Sequence, residues 1–185
     1  MSIIELNDGV YIEGLEVRKE MRGGYMSDEV YQEVVDNTII VCTDTIIVNI
    51  NRKTIYLAKR IIRPMRGLWW IGGRRKKGET PKQGMHRNFK RETDLDLTVD
   101  RFNFVTMTEY LWPDREQSPQ ENGSHNLCHQ FVVELNDVEL QKARENLSSE
   151  EYDHEFGLKE FNYTQLLDIE ELHPVILEVY NKIFP

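Results

Sequence analysis

Cysteine is scarce in this chain, with only Cys42 and Cys128 among 185 residues. Each sits in a strand-like run, so two buried thiols are expected rather than a disulfide or a metal pair. That suits a reducing compartment. Long apolar stretches are also missing. Nowhere do about 18 apolar residues run together, and Met1-Ser2-Ile3-Ile4-Glu5 has no basic region leading into an apolar one. A cytoplasmic protein with no membrane partner is expected. Positive charge is in deficit, the formal net charge being -9. A duplex nucleic-acid binder needs a broad face of Lys and Arg against the phosphates, so nucleic acid is not an expected partner. Repeats and linkers are absent too. The length and a 39% hydrophobic content are enough for one globular domain with a sizeable core.

Against this acidic background, base is concentrated in the stretch from Gly67 to Leu95. Aromatic Trp69 and Trp70 lead into Gly72 and Gly73, a cationic Arg74-Arg75-Lys76-Lys77 follows, and then a helix begins. Thr80 reads as its N-cap, Pro81 as its first residue and Gln83 as the capping-box partner of Thr80. Met85 and Phe89 fall four apart and can face a core, while Asn88, Arg91 and Glu92 share another face. One face packs; the other can meet a ligand.

This stretch resembles the Nudix box, a pattern of Gly, five residues, Glu, seven residues, then Arg-Glu-hydrophobic-x-Glu-Glu-x-Gly-hydrophobic. The matching positions are Gly73, Glu79, Arg87, Asn88, Phe89, Lys90, Arg91, Glu92, Thr93, Asp94 and Leu95. Spacing matches throughout, but Asn88 and Arg91 replace the first two helix glutamates and Asp94 replaces the glycine. A box keeping the arginine and only the last glutamate is similar to that of the GDP-mannose mannosyl hydrolase branch. The likeness extends upstream through residues 28–38, Asp44 and residues 57–64.

The resemblance implies an α/β/α sandwich with a mixed sheet, spanning residues 27–185 behind an N-terminal arm, residues 1–26. It implies Mg²⁺-dependent hydrolysis of a nucleotide-sugar at the glycosidic carbon, giving free sugar and a nucleoside diphosphate. The metal would be held by Glu92, the Gly72 carbonyl and Glu151. Arg60 and Arg74 would contact the leaving diphosphate, Asp44 the substrate, and Arg87 would pair with Glu79. Arg91, a cation in place of a metal-ligand glutamate, adds positive charge near the phosphates and disfavours a multi-metal cluster. The general base is sought in Glu150-Glu151-Tyr152-Asp153-His154, where Tyr152 or Asp153 takes the position by register and His154 by chemistry. Two rivals stand beside this reading: Nudix chemistry with water attacking phosphorus, and a nucleotide-sugar-binding module without catalysis.

Other residues have plainer readings. Asp44 is equally well a strand-end aspartate facing water, and Arg75, Lys76 and Lys77 read as a solvated turn. His125 and His129 would share a strand face, but a zinc site needs further ligands that the sequence does not locate. Residues 1–26 suggest one or two marginal strands that serve either as a loose arm or as a homodimer contact.

Elsewhere, Ser27 should cap a helix of about ten residues buried through Val30, Tyr31, Val34 and Val35. Residues 38–48 and 54–58 read as a hairpin, with further strands near 102–111 and 127–135. Between these, polar residues 113–124 suggest a functional lid or a disordered segment. Helices are expected over 137–147, capped by Asn136, and after Pro174.

Overall fold

The computed structural model describes residues 23–185 and two strands before them, β1 (Ile3–Leu6) and β2 (Val10–Glu13), which pair antiparallel. The role expected of residues 1–26, arm or dimer contact, falls largely outside the described residues. Helix α1 (Asp28–Asn37) starts at Ser27, whose hydroxyl accepts the Val30 N–H at 3.4 Å. Of its expected stripe only Val35 is buried, and Val30 is exposed, because α1 turns Tyr31 and Val35 toward a cavity rather than into the core.

The expected hairpin forms from β3 (Ile40–Asn49) and β4 (Thr54–Arg60), joined in register from Asn49↔Thr54 to Ile47↔Tyr56. Beyond that the two strands part, and β5 (Gly67–Trp69) and β6 (Ile71–Arg74) fill the wedge. β5 pairs with β4, and β6 with the other half of β3, so the chain crosses the gap at Trp70. β7 (Asn103–Trp112), β8 (Ser124–Glu134) and β9 (Leu158–Phe161) complete a seven-stranded mixed sheet in which β3 and β8 run parallel.

Side chains alternate across this sheet, as the strand pleat requires. Ile47, Tyr56 and Ala58 face helices α2 (Pro81–Thr93) and α3 (Asp137–Glu145) in one core layer, with Met85, Phe89 and Ala143. Ile46, Val48, Ile55 and Leu57 face the other, where α4 (Tyr163–Leu167) and α5 (Pro174–Ile183) bring Leu166, Val175, Ile176 and Val179. This is an α/β/α arrangement, as expected. No helix among the described residues is long and apolar enough to cross a membrane.

The polar segment after β7 is built around Arg115, which is 2% exposed. Its guanidinium meets Asp36 at 2.7 Å and donates to the carbonyls of Gln117, Ser118 and Gly123. Cys42 and Cys128 are free and stand opposite each other on β3 and β8.

Candidate active site

Local chemistry sets α2 as expected. The Thr80 hydroxyl accepts the Gln83 N–H at 3.3 Å, and the Gln83 side chain accepts the Thr80 N–H at 3.0 Å. Arg87 grips Glu79 with two hydrogen bonds, Nε to Oε1 at 2.6 Å and Nη2 to Oε2 at 2.8 Å, and also donates to the Arg74 carbonyl at 2.9 Å. The box arginine thereby ties the helix to the loop before it. Asn88, at a box glutamate position, is a buried peg: its Nδ2 donates to Thr43 Oγ1 at 3.1 Å and to the Gly73 carbonyl at 2.8 Å. It joins helix to sheet at a position where the box pattern has a glutamate.

One turn on, Glu92 is fully buried. Its Oε1 accepts the Arg91 Nε at 2.9 Å and also Arg91 Nη2, while its Oε2 is buried without a partner. Arg91 Nη2 reaches on to Glu151 Oε1 at 3.0 Å, and Arg60 Nη2 lies 3.6 Å from Glu151 Oε2. Two carboxylates and two guanidiniums thus form one cluster. Burial, and then the neighbouring Glu151 charge, push the Glu92 pKa up to about 7 against the pull of Arg91.

Arg60 connects this cluster to a cavity on the sheet. Asp44, Gly72, Gly73 and Arg74 border the cavity, together with Tyr31, Trp69, Trp112, Arg63 and Arg115. Asp44 does not face water. It is 5% exposed and its Oδ2 accepts the Trp70 indole N–H and the Gln130 amide, each at 3.0 Å. Burial raises its pKa, with Trp70, Gln130 and Arg60 pulling the other way. A Cβ on Gly72 would fall 2.1 Å from Asp44 Oδ1, so only glycine fits there. The Arg74 guanidinium lies over the Tyr31 ring at 4.4 Å.

Of the expected residues, the structure gathers Arg60, Arg74, Asp44 and Gly72 at the cavity and Arg91, Glu92 and Glu151 in the adjoining cluster. It does not bring His154 there. That side chain is exposed on a turn and borders no part of the cavity. The other base candidates already hold hydrogen bonds, and Tyr152 also borders the cavity. Tyr152 is buried, its hydroxyl donating to the Trp70 carbonyl at 3.3 Å, and burial pushes the phenol well up. Asp153 caps the turn, accepting the N–H groups of Glu155 at 3.0 Å and Phe156 at 3.1 Å. The turn after Gly73 stays out of the site as well, since Arg75, Lys76 and Lys77 do not border the cavity. His125 pairs with Glu109 at 2.7 Å, and no group of three or more His, Cys, Asp or Glu among the described residues is placed to hold a metal.

Sequence reading missed Trp112 and Arg115 in the cavity wall, and Gln130 behind Asp44. The polar segment was a signal for Arg115. Gln130 had none, because its place beside Asp44 depends on the β3–β8 register across 86 residues.

A splayed strand pair, a glycine-bearing strand in the gap and a capped Arg–Glu helix against it define a Nudix-type domain. The family model described as NUDIX domain matches residues 42–181, and the chain belongs to the Nudix hydrolase family. No curated protein matches the chain. Solved structures similar to it include a MutT Nudix hydrolase from Burkholderia pseudomallei, 16% identical, with 80% of this chain and 100% of that one covered at a TM-score of 0.53. A Nudix hydrolase from Nitrosomonas europaea is 13% identical over 78% of this chain and 88% of its own, with a TM-score of 0.53. A bifunctional NMN adenylyltransferase/ADP ribose pyrophosphatase from Francisella tularensis, in complex with AMP and a Mn ion, is 13% identical. There the match covers 84% of this chain and 45% of that one, again at 0.53. Identities this low show the fold alone.

Proposed function

We propose that this protein is a divalent-metal-dependent hydrolase of a nucleotide-sugar, akin to the GDP-mannose mannosyl hydrolases, that cleaves at the glycosidic carbon. The observation that carries the reading is the Nε of Arg60, buried with no hydrogen-bond partner at the edge of the cavity. An unpartnered guanidinium N–H is costly to bury, and a diphosphate oxygen would satisfy it. Arg74 adjoins the same space, and Tyr31 and Trp112 border it, aromatic side chains of the kind that suit a base or sugar. Arg60 and Arg74 hold the diphosphate in this reading, so that charge developing on it as it departs is stabilised. Asp44, fixed by Trp70 and Gln130, orients the substrate.

The donor set fits one Mg²⁺. Glu92 has a buried oxygen to spare and Glu151 lies across Arg91 from it, and Mg²⁺ takes only one or two protein carboxylates beside phosphate and water. The Gly72 carbonyl is the third candidate ligand. When bound, the ion would supply positive charge against the diphosphate. With Arg91 and Asn88 where carboxylates would assemble several metals, the site favours departure of an intact diphosphate over attack at phosphorus.

Hydrolysis in water labelled with heavy oxygen tests this directly. Label in the free sugar, with an unlabelled nucleoside diphosphate, is the expected outcome. Labelled phosphate, with a nucleoside monophosphate and a sugar phosphate, would overturn it in favour of attack at phosphorus. Binding of sugar nucleotides without turnover would favour a module whose carboxylates stay locked to Arg91.

A further inference from the structure

We propose that Arg91 is a displaceable internal cation, which holds the place between Glu92 and Glu151 in the ligand-free protein and makes divalent-metal binding conditional on a diphosphate arriving with it. The inference rests on the reading of this site as a metal-assisted diphosphate site, and concerns how the two ligands are coupled.

The geometry comes first. Arg91 donates to Glu92 through Nε and Nη2 and to Glu151 through Nη2, so one guanidinium bridges Oε1 of both carboxylates that a metal would need. It lies against the glycine strand, since a Cβ on Gly73 would fall 3.3 Å from Arg91 Nη2, and Gly73 borders the cavity. Of the three partners Arg91 alone has a way out. Its side chain is 43% exposed, against 19% for Glu151 and 0% for Glu92.

Charge then sets the order. Glu92 and Glu151 against Arg60 and Arg91 make a neutral cluster with the carboxylates ionised. A divalent cation entering alone would leave it with two excess positive charges, and a diphosphate diester alone with two excess negative charges. Both are costly where the groups are poorly solvated. Together they cancel. Arg91 released from the carboxylates can turn to phosphate oxygens, which its planar fork suits. Each ligand therefore raises the affinity for the other by the same factor. A glutamate at position 91 would give a cluster that attracts a metal on its own.

The test is Mn²⁺ binding to the full chain, read by the electron paramagnetic resonance signal of free Mn²⁺, alone and with GDP, with the Mn–GDP complex subtracted from protein-free controls. Wild type should bind Mn²⁺ alone at least tenfold more weakly than Arg91→Gln, while Arg91→Lys, which keeps the charge, should stay weak. GDP should tighten Mn²⁺ binding at least tenfold in wild type and by less than threefold in Arg91→Gln. Circular dichroism checks that the variants fold, and the wild-type linkage stands without them: Mn²⁺ must raise GDP affinity by the same factor. Equal Mn²⁺ affinity of wild type and Arg91→Gln in the absence of nucleotide would overturn the inference and leave the hydrolase reading untouched. So would wild-type Mn²⁺ affinity that GDP does not change although calorimetry shows GDP bound. If GDP does not bind at all, the substrate reading fails, and the conditional binding proposed for Arg91 fails with it.

Discussion

Glu79 and Glu92 stand at the two ends of the box, and each meets an arginine, yet only Glu79 has both oxygens occupied. Arg87 takes both Glu79 oxygens, and the Lys76 N–H adds a third bond at 2.7 Å. Burial pushes the Glu79 carboxyl up, but these bonds outweigh it and its pKa lies below the usual value. Glu92 is more deeply buried, has one oxygen unpartnered and faces a second carboxylate, so its pKa rises to about 7. The same pair of residue types is closed at one end of the helix and open at the other. A closed pair holds the fold, whereas an open one stores unmet hydrogen bonding that a ligand can use.

Breaking the closed pair should have the largest effect. Arg87→Ala leaves Glu79 partly buried without its counter-charge and removes the link to the Arg74 carbonyl. A loss of about 3 kcal/mol in urea unfolding is expected, from the cost of stranding one partner of such a pair. A loss under about 1 kcal/mol would mean that the pair is merely a surface contact.

Glu92 should respond in the opposite sense. In the metal-free protein the folded state keeps a proton on Glu92 between the ordinary glutamate value of 4.5 and about 7, where the unfolded chain has lost it. This contribution to stability therefore falls as pH rises through that window and is gone above it. Glu79, with its lowered pKa, contributes stability that is present above 4.5 and lost in acid as pH falls through its folded pKa. Glu92→Gln should flatten the slope between pH 4.5 and 7 and stabilise the protein at pH 8 by about 2 kcal/mol, while weakening Mn²⁺ binding with GDP. An unchanged slope in the variant would show that Glu92 titrates normally.

Arg60 sharpens the comparison on the ligand side, because its unpartnered Nε is the counterpart of the Glu92 oxygen. Arg60→Lys keeps the charge and loses the fork, so kcat should fall about tenfold with little change in stability. Turnover at the wild-type rate would remove Arg60 from the diphosphate site.

How far all this was legible follows from the range of the interactions. The cap, the core face and the Glu79 partner of α2 are each settled by residues no more than eight apart, and the sequence displays them. The β3–β4 hairpin is local in the same way. β9 and α4 escaped notice because they are short, and β9 is a strand only by pairing with β4 across about a hundred residues. The site divides along the same line. Glu92 and Arg91 could be read from the box, but the lock that Arg91 forms with Glu151 spans 60 residues and shows only in the fold. His154 stands apart from the cavity, and nothing in a loop's spacing says which way a side chain points.

Asp94 offers the smallest expected effect, and it separates a lost ligand from a lost turn residue. It ends α2 as the C-cap with φ 54° and ψ 23°, donating its N–H to the Lys90 carbonyl at 2.9 Å. This left-handed conformation is why the box pattern calls for glycine there, and aspartate tolerates it better than most residues but not freely. Its carboxylate is exposed and meets Lys142 at 3.2 Å, a surface pair worth little. Asp94→Gly should relieve the backbone and lose only that pair, while gaining freedom in the unfolded chain. These terms leave a net stabilisation of about 0.5 kcal/mol, with kcat and Mn²⁺ affinity unchanged because Asp94 does not border the cavity. A destabilised Asp94→Gly variant would show that the Lys142 contact between α2 and α3 matters more than the turn. A changed Mn²⁺ affinity would instead show that the end of the helix and the Glu92 cluster are coupled, and that the open end of the box extends past Glu92.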